Sequence, residues 1–132
     1  MITVNDMNQY LQQEFPQANV ETVALNHEEV VIRREIGYAD LRPGGTVSGP
    51  ALMAVADCAL FVAICYRLGI TAMAVTTNLN ISFLHKPSAD KNIIASCRLL
   101  KVGKRLAMGE VYLYSEGNEE PVAHVSGTYS LP

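Results

Sequence analysis

Between Ala51 and Tyr66 the sequence ALMAVADCALFVAICY carries one charged side chain, Asp57, among Ala, Leu, Val, Met, Cys and Phe. Burying an unpaired carboxylate is costly. Asp57 therefore either meets a polar neighbour or a subunit interface, where it fixes register, or it serves as a general base or nucleophile. Just upstream, Ser48 suits a helix N-cap, Gly49 permits close backbone approach and Pro50 fits a first helical turn. That start is either a plain helix boundary or a site whose free N–H groups and positive dipole end polarise a carbonyl, with Gly49 as donor. Gly49 and Asp57 are eight residues apart, roughly 12 Å along a helix axis, too far to act on one carbonyl within one chain. A two-fold dimer with antiparallel central helices brings Gly49 of one subunit to Asp57 of the other. A composite site is the expectation.

These residues need elements to position them. Val4, Met7, Leu11 and Phe15 have helical spacing and Pro16 ends the pattern, so a short amphipathic helix is expected over Thr3 to Phe15. VETVALN and EEVVIRREI alternate apolar with polar residues around Asn26 and His27 and predict a hairpin. GYADLRPGGTVSGP reads as a loop leading into the apolar helix. After Gly69 the period changes, and MAVTTNLNISFLHKP, NIIASCRLLKVG, RLAMGEVYLYSEG and PVAHVSGTYSLP predict four strands in an antiparallel meander. Strands grouped on either side of one central helix indicate α+β. A helix apolar on every face is buried or spans a membrane, which takes about 20 residues. With Asp57 in the middle of a shorter run, burial inside a curved sheet is the expectation, and Ala51, Ala54, Ala56, Ala59 and Ala63 let sheet and helix approach closely.

The chain has 132 residues and a formal net charge of −3. That length suits a single domain over residues 1–132, one whose core gains from oligomerisation. The basic residues are dispersed, so neither nucleic acid nor an anionic membrane is an expected partner. The N-terminal MITVNDMNQYLQQEF lacks the basic flank and apolar run of a signal peptide, which points to the cytoplasm. Cys58, Cys65 and Cys97 show no ligand spacing and read as reduced core residues. His27, His85 and His124 have no paired-ligand spacing, and no metal is expected.

PGGTVSGPALMAVADCA, TTNLNISFLHKP and VGKRLAMGEVYLY together resemble the hotdog-fold thioesterases of the phenylacetate-degradation (PaaI-like) type, over about Val20 to Leu131. The first stretch resembles that family's Gly-x-x-His-Gly-Gly helix start followed by an acid. The second resembles its T-x-x-L-N-I-S-F-L-x-P strand, and the third a later Gly-Arg strand pair. The resemblance implies a hotdog fold, with an antiparallel sheet wrapped around one long central helix. It also implies hydrolysis of acyl-CoA between subunits of a homodimer or a dimer of dimers, with coenzyme A part of the substrate and no separate cofactor. By the same resemblance Asp57 is the acid that attacks the thioester or activates water. Gly49 polarises the carbonyl from the other subunit, with Ser48 beside it, and Thr76, next to Thr77, helps place the water or the acid. Ser48, Pro50 and Arg42 replace the family's usual His, second Gly and upstream Asn. Arg42 remains able to meet a carboxylate or phosphate. Lys86, Lys101, Lys104 and Arg105 are either contacts for the coenzyme phosphates or ordinary solvated charges on turns. Met53, Phe61 and Phe83 either line an acyl pocket or pack the core. The same replacements also fit a non-catalytic acyl-CoA-binding hotdog domain. A hotdog hydratase or dehydratase is disfavoured because no His lies from Arg42 to Tyr66.

Overall fold

A computed structural model describes all residues from 1 to 132. Helix α1 spans Val4–Glu14, and its start is closed by reciprocal hydrogen bonds between Thr3 and Asp6. Pro16 stops it, and Met7 and Leu11 are its buried face. Strands β1 (Val20–Leu25) and β2 (Val30–Arg34) form the expected hairpin. The Asn26 side chain accepts the Glu28 and Glu29 N–H groups at its turn.

The segment read as a loop carries more order than its Gly and Pro content indicates. A 3-10 turn at Tyr38–Asp40 leads into β3 (Leu41–Arg42) and β4 (Thr46–Val47), a two-stranded ribbon turned by Gly44 and Gly45, both at positive φ. Helix α2 then runs Gly49–Leu68. Although it is long and apolar enough to cross a membrane, ten of its residues, Leu52 and Leu60 among them, are buried.

The rest of the chain is β5 (Val75–Phe83), β6 (Ile93–Val102), β7 (Leu106–Ser115) and β8 (Ala123–Ser130). With the first hairpin they build one antiparallel sheet in the order β1-β2-β6-β7-β8-β5. All six strands contact α2, so the sheet wraps the helix in the hotdog arrangement. The expected four-strand meander needs one correction. Strands β6, β7 and β8 are successive neighbours, but β5 pairs with β8 at the far edge, and residues 84–92 carry the chain back to β6 beside β2. Alternation of side chains marks which face of a strand is buried and carries no information on its neighbour.

Close approach of helix and sheet depends on glycines of the sheet as well as alanines of the helix. Gly109 and Gly127 face each other across β7 and β8 beneath Leu60. A β-carbon on Gly109 would lie 2.8 Å from a Leu60 methyl and 2.9 Å from the Arg98 carbonyl oxygen. The methyl can rotate away, whereas the carbonyl belongs to the neighbouring strand. Gly109→Ala is therefore expected to cost about 1–3 kcal/mol, the range for overpacking, read as a lower urea midpoint at unchanged slope. An unchanged midpoint would show that the sheet yields at this point.

Candidate active site

Asp57 projects from α2 toward the seam between β5 and β8. There the Thr76 hydroxyl donates to Asp57 Oδ1 at 2.6 Å, and the Tyr129 hydroxyl reaches the same oxygen at 2.6 Å and the Asp57 backbone oxygen at 2.9 Å. Strand register sets this convergence, because Thr76 and Tyr129 are direct partners across the β5–β8 pair. A β-bulge between Thr76 and Asn78 then shifts the register by one residue. It lets Thr76, before the shift, share a sheet face with Leu79, after it, whose methyl lies against Gly127. Thr77, the extra residue, donates to the Thr128 carbonyl at 3.2 Å and takes no part at Asp57.

Asp57 opens on a cavity of about 340 Å³ whose apolar walls include Phe15, Ala54, Phe61, Ala74 and Val75. Cys58 also lines it, but burial first, and then the neighbouring Asp57 charge, pushes its thiol up to about 12. It is therefore no competing thiolate near neutral pH. Burial, and after it the hydrogen bond to Asp57, holds the Tyr129 phenol well above its ordinary value, so it stays a donor. Of the expected apolar contacts only Phe61 lies on this cavity. Met53 is exposed, and Phe83 covers the start of α2, where a β-carbon on Gly49 would meet its ring at 3.1 Å.

That helix start is built as its residue types require. Ser48 Oγ accepts the Ala51 N–H at 3.2 Å, and Pro50 occupies the first turn. A partly buried ion pair anchors it. Arg34 on β2 reaches Asp40 Oδ1 at 2.6 Å and also donates to the Ala18 carbonyl. Asp40 in turn accepts the Gly37 N–H at 3.0 Å through its side chain and the Ser48 N–H at 2.8 Å through its backbone. Gly49 thus hangs from a chain of contacts running back to the first hairpin.

The structure brings Asp57 and Thr76 together and leaves Ser48 and Gly49 eight or more residues up the same helix. Arg42 is exposed on the short ribbon, and Lys86, Lys104 and Arg105 are exposed without an ion pair. Val75 and Leu106 both face Ser130 in the register, so the Lys104–Arg105 turn lies at the Thr76 end of the sheet, while Lys86 follows the opposite end of β5. Tyr129 was not singled out from the sequence. Its signal was the alternation Ala123, Val125, Gly127, Tyr129, which puts the ring on the buried face, where a phenol needs a partner.

Comparison with known proteins places these features in context. Residues 44–122 match the family model of the thioesterase superfamily. The chain is 40% identical to an inferred thioesterase from a Silicibacter species, with a TM-score of 0.92 covering 100% of this chain and 93% of that one. Zebrafish thioesterase superfamily member 2 aligns over 100% of both chains at 24% identity and a TM-score of 0.87. The Escherichia coli PaaI protein of the phenylacetic acid degradation operon aligns over 95% of both at 19% identity and a TM-score of 0.77. These last two share the fold. No curated protein sequence matches the chain.

Asp40→Ala leaves the Arg34 guanidinium without its carboxylate, and Arg34 already holds a buried Nε without a partner. The expected loss is about 1–3 kcal/mol, the range for leaving a buried polar group without its partner, measured by denaturant unfolding. A loss below about 1 kcal/mol, the scale of an exposed pair, would show that solvent replaces the carboxylate.

Proposed function

The chain belongs to the thioesterase superfamily, and from that premise we propose that it hydrolyses acyl-CoA thioesters to free acid and coenzyme A, at a site shared by two subunits with Asp57 as the attacking acid. The observation that carries this reading is the state of Asp57. One carboxylate oxygen is held by two hydroxyl groups, the other has no partner in the chain, and the group faces an apolar cavity. Compact apolar or aryl acyl groups suit walls made by Phe15, Phe61 and Val75. Coenzyme A is part of the substrate, and the reaction needs no further cofactor.

Two subunits are required because Gly49 and Asp57 stand roughly 12 Å apart on one helix. Strand β5 supports the pairing: it is a nine-residue sheet edge with one neighbour, β8, and with Val75 and Phe83 exposed at its ends. A long open edge of this kind invites a second strand. Antiparallel pairing of two β5 edges near Leu79 and Asn80 would set the Thr76 end of one strand beside the Phe83 end of the other. Because Phe83 covers Gly49, that arrangement carries the partner subunit's Gly49 toward Asp57. It also gathers the partner subunit's Lys86 with Lys104 and Arg105, a basic group suited to coenzyme phosphates.

In the resulting mechanism the thioester carbonyl oxygen rests on the Gly49 N–H, a donor whose worth is about 3 kcal/mol as charge develops on that oxygen. Asp57 Oδ2 takes a proton from water while the water oxygen bonds to the carbonyl carbon. Collapse of the oxyanion breaks the C–S bond, and the proton passes from Asp57 to the leaving thiolate. In the covalent variant the same oxygen bonds to the carbonyl carbon and expels the thiolate, and water then opens the anhydride.

Thiol release from short, medium and aryl acyl-CoAs is expected from the wild type, and Asp57→Asn should lower it at least about 100-fold at equal folded content. A wild type that binds acyl-CoA and releases no thiol would instead be a non-catalytic acyl-CoA-binding hotdog domain, the alternative that Ser48, Pro50 and Arg42 favour. Sharing of the site has its own test. Purified heterodimers of an Asp57→Asn chain and a Gly49→Pro chain keep one complete site, so they should regain about half the wild-type rate although both parent homodimers are inactive. Heterodimers as inactive as their parents would place the whole site in one chain.

A further inference from the structure

We propose that Tyr129 is a positioning residue for Asp57: together with Thr76 it pins Oδ1 and leaves Oδ2 as the one reacting oxygen. The assignment rests on the reading of Asp57 as the attacking acid and concerns a residue outside the expected site. A buried tyrosine commonly satisfies its hydroxyl on whatever acceptor is nearest. Three features go beyond that.

Both donors converge on one oxygen at 2.6 Å, although a carboxylate offers two oxygens with room for about four hydrogen bonds. They come from directly paired positions on adjacent strands, so the spacing between the two hydroxyl groups is fixed by the ladder rather than by flexible loops. Tyr129 also lies 2.9 Å from the Asp57 backbone oxygen. Its single proton is therefore shared between the main chain and the side chain of the same residue, which ties the carboxylate to the helix that bears it.

Tyr129 is 4% exposed, packed where β8 meets α2, and burial holds its hydroxyl in the protonated, donating form near neutral pH. A carboxylate with one oxygen accepting two hydrogen bonds cannot rotate about its terminal bond without breaking both contacts. Oδ2, which has no partner in the chain, is then held in one orientation beside the cavity that Asp57 lines with Phe15 and Phe61. Thr76 alone leaves the group free to swing about a single contact.

Tyr129→Phe keeps the packed ring and removes only the hydroxyl. It is expected to lower kcat about 10-fold with KM within about 2-fold, the signature of lost orientation rather than lost binding. Thr76→Val should do the same, and the double variant should lose clearly more than the product of the two, because the last tether of Oδ1 is then gone. An unchanged kcat in Tyr129→Phe, or losses that simply multiply, would overturn the assignment. A readout independent of turnover accompanies it: the side-chain carboxyl 13C resonance of Asp57, assigned by its disappearance in Asp57→Asn, should move in Tyr129→Phe. A resonance that stays in place would overturn the assignment even in a protein that releases no thiol. A moving resonance in an inert wild type would sink the hydrolase reading, and with it the reacting role of Oδ2, while the pinning of Oδ1 by Tyr129 would stand.

Discussion

A helix that is apolar on every face has to be surrounded, and the rest of this chain is arranged to surround α2. Six strands touch it, and the sheet closes tightly only because both surfaces are thin at the contact: alanines on the helix, Gly109 and Gly127 on the strands. A cluster of 27 buried residues drawn from both helices and the sheet results. Burial of apolar surface supplies the driving force, and closeness sets how well it packs.

The same enclosure makes Asp57 possible. A carboxylate on such a helix needs donors that reach it without opening the core, and hydroxyl groups on the facing strands meet that need, since Thr and Tyr carry a donor on an otherwise packable side chain. Thr76 and Tyr129 come from the seam of β5 with β8, at one of the two edges of the sheet. The polar group of the helix, the cavity beside it and the unpaired strand edge therefore fall in one region. Structural cost and chemical opportunity coincide there, as is common where ionisable groups are held in partly desolvated surroundings.

Membership of the thioesterase superfamily leaves this chain its own version of the helix start. Ser48 serves as the cap and Pro50 closes the first turn, and in the proposed mechanism the backbone N–H of Gly49 is the donor. The ion pair of Arg34 with Asp40 holds that turn from behind, so the position of Gly49 is tied to β2 as well as to the ribbon that precedes it. Phe83 leaves no room for a side chain at Gly49 unless the ring moves, which gives this glycine a packing role beside its proposed chemical one.

By itself the sequence determined the elements and the family. Periodicity located both helices, the first hairpin and all six strands of the main sheet, and a lone charge in an apolar run singled out Asp57. The residue types at the helix start added Gly49, and the resemblance to PaaI-like thioesterases added Thr76 and the hotdog fold. The tertiary structure decided the rest. It moved β5 to the far edge, because side-chain alternation records the buried face of a strand and not its neighbour. It separated Thr76 from Thr77, because a bulge shifts register by one residue and no composition marks it. It joined Tyr129 to Asp57 across 72 positions of sequence, because a hydrogen bond depends on distances that only pairing of β5 with β8 creates.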